Sequence, residues 1–199
     1  MHLDKPTTQI LLKPVTHCTK DQQARIREIR NQPGVRSSMY TEHIISTEEH
    51  LNWINRLLTD NKQMVYAILK EEQTPLGIVS VNAIDKLHKK SDWAFYLDES
   101  IHGGGLGAAI EFHLIELVFN ELGLEKLNCE VIETNQAVVK LHKKFLFVEE
   151  GYRRSNIEKE DKRIGVYFLG LTKEDWIRGR TGVYTKYESV MSRFHIWHQ

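Results

Sequence analysis

Apolar residues recur along this chain with two rhythms, and each rhythm predicts a kind of element. Residues 8–14 read as a short first strand. From Lys20 to Asn31 the apolar positions Ala24, Ile26 and Ile29 predict a weak helix, stopped before Pro33-Gly34. Ser46 and Glu49 form a capping-box pattern. Behind it Leu51, Ile54, Leu57 and Leu58 recur at helical spacing as far as Asp60-Asn61. The rhythm then shortens. Gln63–Lys70 and Leu76–Ile84 predict an antiparallel pair of strands, and Asp92–Leu97 a third strand. A glycine cluster, Gly103-Gly104-Gly105-Leu106-Gly107, opens a long amphipathic stretch through Ile110, Leu114, Leu117, Val118 and Leu122, which stops at Gly123. Leu127–Ile132 predicts a strand, Asn135–Lys144 a short helix, and Phe145–Val148 with Ile164–Leu171 a closing pair of strands. A last helix is predicted from Thr172. A meander followed by one glycine-loop βαβ unit describes an α+β (mixed α/β) domain, not a doubly wound sheet.

Composition narrows the class. The 199 residues hold 27 basic and 27 acidic side chains, 41% hydrophobic and 27% charged, which is globular composition. The charge balance argues against nucleic acid as a partner and against polybasic membrane attachment. Cys18 and Cys129 stand far apart, so neither a disulfide framework nor a cysteine-rich metal site is predicted. The start, Met1-His2-Leu3-Asp4-Lys5, has no apolar leader, and no apolar run reaches the ~18 residues of a membrane span. A cytoplasmic protein is expected. His88, His102 and His113 have no metal-ligand spacing, and His195 and His198 fall in the final residues, so no metal is expected.

Strand, glycine cluster, helix is an anion-binding order, because glycines admit close approach and the first helical turn presents free N–H groups. Gly103-x-Gly105-x-x-Ala108 also fits a dinucleotide fingerprint, with Glu125 or Glu130 downstream. A dinucleotide domain, however, normally begins with this unit and needs more βα repeats after it.

The better match is His102-x-x-Gly105-x-Gly107, followed by a helix, a strand, and then Asn135 leading to His142-Lys143-Lys144-Phe145-Leu146-Phe147. This order, over residues 8–171, resembles the GCN5-related N-acetyltransferases (GNAT). The resemblance implies a central, mostly antiparallel twisted sheet of about seven strands with a splayed strand pair and flanking helices. It implies acetyl-coenzyme A as cosubstrate. His102, Gly103, Gly105, Leu106, Gly107 and Ala108 would form the pyrophosphate loop, the Leu97 amide would meet pantetheine, the Phe95 amide would donate to the thioester carbonyl, and Asn135 would lie near the sulfur.

The reaction is attack of a neutral amine on a thioester, so a base and a thiolate-protonating acid are needed. The family's pattern Y-x-x-x-G-F places its Tyr acid where this chain has His142 and its Gly where it has Leu146. An imidazole titrating near ~6.5 can donate to a thiolate whose thiol has a pKa near ~8.5. Glu130 and Ser80 are candidates for the base, Ser80 through a held water. The facing of Glu130 is open from parity alone, and a mid-strand Ser also serves as a core hydroxyl.

The segment Arg30-Asn31-Gln32-Pro33-Gly34-Val35 through Met39-Tyr40, and then Ile45-Ser46 through His50 and Trp53-Ile54, resembles one subfamily. That subfamily is the PseH-type N-acetyltransferases of pseudaminic acid biosynthesis. Leu76-Gly77-x-x-Ser80 and Trp93-x-x-Tyr96 fit it too. The resemblance implies a nucleotide sugar, UDP-4-amino-4,6-dideoxy-N-acetyl-β-L-altrosamine, as acceptor. Met39, Tyr40, Trp53 and Tyr96 would contact the sugar, with Arg30 and His50 toward the nucleotide. Two other readings stay open: an acetyltransferase for a protein N-terminus or polyamine, and a non-catalytic acyl-coenzyme A-binding module.

Residues 1–175 read as the acetyltransferase domain and 176–199 as an aromatic, basic extension. From Arg178 onward, four cations (Arg178, Arg180, Lys186, Arg193) face one acid (Glu188), so the rest of the chain carries the opposite excess. Trp176, Tyr184, Tyr187, Phe194 and Trp197 predict that this extension docks on the domain or on a partner subunit, as in a homodimer.

Overall fold

The computed structural model describes residues 7–199, so the Met1–Lys5 start lies outside it. The elements are β1 (Thr8–Pro14), α1 (Lys20–Arg30), α2 (Pro33–Ser37), α3 (Thr47–Leu57), β2 (Met64–Lys70), β3 (Thr74–Asp85), β4 (Lys90–Leu97) and α4 (Leu106–Glu116). They continue with β5 (Lys126–Ile132), α5 (Gln136–Lys144), β6 (Val148–Lys159), β7 (Lys162–Thr172), α6 (Lys173–Met191) and β8 (Phe194–His198). One mixed sheet runs β6-β7-β5-β4-β3-β2-β1-β8. Its neighbours are antiparallel except β4–β5 and β1–β8.

Local chemistry sets the element ends. Thr19 with Gln22, and Ser46 with Glu49, close reciprocal capping boxes that start α1 and α3. Strand alternation then divides the sheet. Ile10, Leu12, Tyr66, Ile68, Val79, Val81 and Trp93 face the core beneath α4 and α6. Leu11, Val65, Ala67, Leu69 and Ile78 face a second core with Ile26 of α1, flanked by Trp53 and Leu57 of α3. Period-2 patterning places successive residues on opposite faces, and a helix layer covers each.

The sheet has eight strands where about seven are expected, because Phe194–His198 adds to β1 in parallel. Phe145–Val148 is not a strand: Phe145 ends α5, Phe147 is buried in the turn, and β6 only begins at Val148. On α3, Leu51 and Leu58 are exposed, while His50 and Ile54 take the buried stripe.

The feature that positions the site is a splay. β4 and β5 pair only at Lys90–Asp92 with Lys126–Asn128. Beyond that they diverge, leaving the far edge of β4 unpaired. Asp98 N–H donates to Leu76 O on the β3 side. Backbone groups alternate along a strand, so the Phe95 and Leu97 N–H groups point the other way, into the gap.

Candidate active site

The gap opens into a cavity of about 1630 Å³. Every candidate residue singled out from the sequence lines it: His142, Ser80 and Glu130; Phe95, Leu97, Asn135 and the loop from His102 to Ala108; Arg30, Met39, Tyr40, His50, Trp53 and Tyr96.

At one end lies the glycine loop. Gly105 is the residue before α4 and has φ 86°, a left-handed conformation that glycine adopts without strain. A Cβ there would also meet Val190 Cγ1 at 2.7 Å. The first helical bond is Ala109 N–H to Gly105 O, so the N–H groups of Leu106, Gly107 and Ala108 have no helical partner. They give the cavity wall a partial positive charge. His102 Nε2 lies 3.3 Å from Leu97 O, which ties the loop back to β4. An anion with an amide-bearing chain behind it fits this wall and the unpaired β4 edge. Acetyl-coenzyme A is such a ligand.

His142 of α5 is 3% exposed and sits among Trp93, Phe95 and Phe147, with ring centroids 4.9, 6.3 and 5.4 Å away. Its Nδ1 lies 2.8 Å from Oε1 of Glu111, a residue with no exposed surface. Burial pushes the Glu111 carboxyl above its ordinary pKa, and His142 opposes that rise. Asn135 spends its side-chain oxygen on the Val138 N–H at 3.4 Å, capping α5 while it lines the cavity.

Toward the acceptor end the carboxylates are already engaged. Glu130 of β5 accepts from the Tyr40 hydroxyl. Burial first, and then this bond, raise the Tyr40 pKa. Glu99 accepts from Gly34 N–H, and Glu49 from Ser46. Ser80 has its proton committed to Ala94 O at 3.3 Å and accepts from Asn82 at 2.9 Å, so its hydroxyl can only receive a further hydrogen bond.

The nitrogen donors are less engaged. Arg30 Nη2 reaches Thr41, but Nη1 is buried without a partner among the described residues. His50 Nε2 is likewise buried and unpartnered, and burial lowers the His50 pKa. Arg56 also lines the cavity.

Sequence reading missed three participants. Glu111 lies on the buried face of α4, where spacing predicts an apolar residue. Lys159 and Arg193 reach the site region from β6 and from the turn after α6, by contacts that no local pattern announces. Among the described residues no helix is long and apolar enough to cross a membrane. No group of three His, Cys, Asp or Glu residues there is placed to hold a metal.

The model of the acetyltransferase (GNAT) domain family matches residues 9–148. The uncharacterised N-acetyltransferase p20 of Bacillus licheniformis is 23% identical over 134 residues, 67% of this chain and 75% of that protein. Among solved structures, spermidine N-acetyltransferase from Vibrio cholerae in complex with CoA and spermine superposes with a TM-score of 0.78 at 18% identity, covering 85% of this chain and 98% of that one. A chimera of the Vibrio cholerae enzyme SpeG with hSSAT gives 0.75 at 16% identity, over 85% and 98%. The family match spans most of the chain and includes the glycine loop and the splayed strands, so this protein belongs to the GNAT acetyltransferase domain family and is an acetyl-coenzyme A-dependent acetyltransferase.

Proposed function

We propose that the acceptor is a UDP-linked 4-amino-4,6-dideoxy sugar, UDP-4-amino-4,6-dideoxy-N-acetyl-β-L-altrosamine, whose 4-amino group is acetylated in pseudaminic acid biosynthesis. One observation carries this reading beyond the sequence resemblance. Arg30 lines the acceptor end with a guanidinium whose side-chain bonds among the described residues go to Thr41 alone, while each of the carboxylates there, Glu49, Glu99 and Glu130, already accepts a protein hydrogen bond. Guanidinium matches phosphate geometry and keeps its charge even though burial lowers its pKa here.

In this reading Arg30, His50 and Arg56 face the diphosphate, and Met39, Tyr40 and Trp53 cover the apolar 6-deoxy face of the sugar. Tyr96, beside Arg30, closes the floor. Acetyl-coenzyme A supplies the acetyl thioester. The amides of Leu106, Gly107 and Ala108 hold its pyrophosphate, and the Phe95 N–H meets the carbonyl oxygen as it gains charge. Glu130 receives the ammonium proton through its oxygen not bonded to Tyr40, and His142 Nε2 protonates the departing sulfur.

A second reading rests on the fold neighbour solved with spermine, which makes a polyamine the competing acceptor. Thiol release from acetyl-coenzyme A, measured with the UDP-4-amino sugar, spermidine and a peptide panel, separates the two. Release with the nucleotide sugar, and an acceptor KM raised at least about tenfold in Arg30→Met, is the expected result. Release with spermidine alone would replace this reading by the polyamine one, and release with peptides alone would overturn both.

A further inference from the structure

We infer that Glu111 is a positioning residue that fixes the tautomer of His142 and keeps its Nε2 loaded with the proton destined for the thiolate. This rests on the proposed role of His142 as donor.

Glu111 lies in α4 between fully buried neighbours, Ile110 on one side and Leu114 and Ile115 on the other. A carboxylate there is costly, and packing alone would favour an apolar side chain. Glu111 gains a single protein bond, to His142 Nδ1, and its Oε2 has no partner. The bond uses the ring nitrogen on the core side. The other nitrogen, Nε2, makes no protein hydrogen bond, is not among the fully buried orphan atoms, and belongs to a residue that lines the cavity. The carboxylate therefore turns the imidazole so that its other nitrogen, Nε2, faces the reacting groups.

The pair also solves a problem posed by replacing Tyr with His. With two shareable protons the pair is net neutral, as carboxylate with imidazolium or as carboxyl with imidazole. After one proton leaves, it is net negative. Burial disfavours the charged Glu111 carboxylate and raises its pKa. Trp93, Phe95 and Phe147 bring no charge to the ring. From β5 the Cys129 thiol faces the pair, and burial holds its pKa well above the ordinary value, so it stays neutral. Asp92 and Glu130 lie beyond that thiol and oppose loss of its proton. On α5 itself Lys143 is occupied by Glu149 at 2.7 Å, and Lys144 is exposed.

The proton balance is closed. The amine nitrogen bonds to the acetyl carbon, the carbon–sulfur bond breaks with its electron pair going to sulfur, and Nε2–H protonates that sulfur. The two protons that the ammonium nitrogen sheds reload the pair and leave to solvent through the base.

The test uses Glu111→Gln, which keeps the volume and removes the charge. With the UDP-4-amino sugar as acceptor, kcat should fall at least about tenfold near pH 8, and its alkaline limb should move about one pH unit toward acid. KM for acetyl-coenzyme A should stay unchanged. An unaltered limb would overturn the inference. A second measurement needs neither acceptor nor a folded variant: 15N NMR of His142 in the wild-type protein. Above the titration of the pair the proton should reside on Nδ1. An Nε2–H tautomer there would overturn the inference, whichever acceptor the enzyme proves to use. An Nδ1–H tautomer with no turnover of the nucleotide sugar would instead count against the acceptor assignment alone.

Discussion

Leu146 stands where the family pattern has glycine, and its φ of 71° is one that side chains avoid. The left-handed conformation costs an L-residue about 1–2 kcal/mol. The molecule offsets this with a contact across the fold. The Leu146 side chain lies over Gly179 of α6, where a Cβ would stand 2.5 Å from Leu146 Cδ1. Gly179 in turn is a poor helix residue, by about 1 kcal/mol relative to Ala. The two irregularities explain each other: a leucine occupies the turn because a glycine leaves room for it. Gly179→Ala therefore sets helix propensity against overpacking, which costs about 1–3 kcal/mol, and a net loss is expected in urea unfolding. Adding Leu146→Ala should return the propensity gain, with a coupling of at least about 0.5 kcal/mol in the double-mutant cycle. A Gly179→Ala protein more stable than wild type would refute the pairing. The departure at Leu146 is visible in the sequence. Its partner is not, because nothing local marks which glycine makes the space.

The β6–β7 hairpin carries the corresponding argument for an element. At the end of β6 the buried Lys159 Nζ donates to Ser37 O at 2.6 Å and Met39 O at 2.7 Å, and pairs with Glu42 at 3.0 Å. These acceptors belong to the end of α2 and the loop that brings Met39 and Tyr40 into the cavity. The hairpin tip thus clamps the acceptor loop, using hydrogen bonds from a charged donor worth about 1.5–3 kcal/mol each. Lys159→Met should raise the acceptor KM several-fold and leave the acetyl-coenzyme A KM alone. An equal rise in both would mean a general loss of structure instead. β2, β3 and β5 were legible as short β-rich apolar runs, and the capping box before α3 from the Ser46–Glu49 spacing. β6 was not, because nearly every side chain from Val148 to Glu158 is exposed and leaves no apolar period. β8 was not, because its pairing with β1 joins opposite ends of the chain. The same contrast holds in the cavity. The glycine loop, the β4 amides and the Arg30-to-Trp53 segment have local signatures. Glu111, Lys159 and Arg193 act through contacts that only the fold creates.

Charge and acid sensitivity belong to the whole molecule. The basic excess after Arg178 meets acidic groups on the body: Arg180 pairs with Glu116 at 2.7 Å, and His198 with Glu121 at 3.1 Å. Trp176, 1% exposed, donates to the same Glu116 at 2.6 Å and packs edge-on to Phe112. Past α6, Arg193 donates to Gly104 O in the glycine loop. α6 and β8 therefore seal α4, add the eighth strand and brace the loop expected to carry the pyrophosphate. His113 of α4 lies under this seal, 3.3 Å from His198. Burial first, and then His198, lower its pKa to about 4, against the pull of Glu121 and Glu116. The unfolded chain holds that histidine near ~6.5, so between about pH 6.5 and 4 it binds more protons than the fold does. The stability tied to neutral His113 is complete above that window and is lost as pH falls through it. The melting temperature should drop across this range, and His113→Gln should flatten the drop while costing little at pH 8. Because β8 and Arg193 share the same seat, acetyl-coenzyme A affinity at pH 5 should fall in the wild type and recover in His113→Gln. If both proteins lose stability and affinity in parallel on acidification, the sensitivity lies in other groups, and His113 is not the point at which acid loosens the extension.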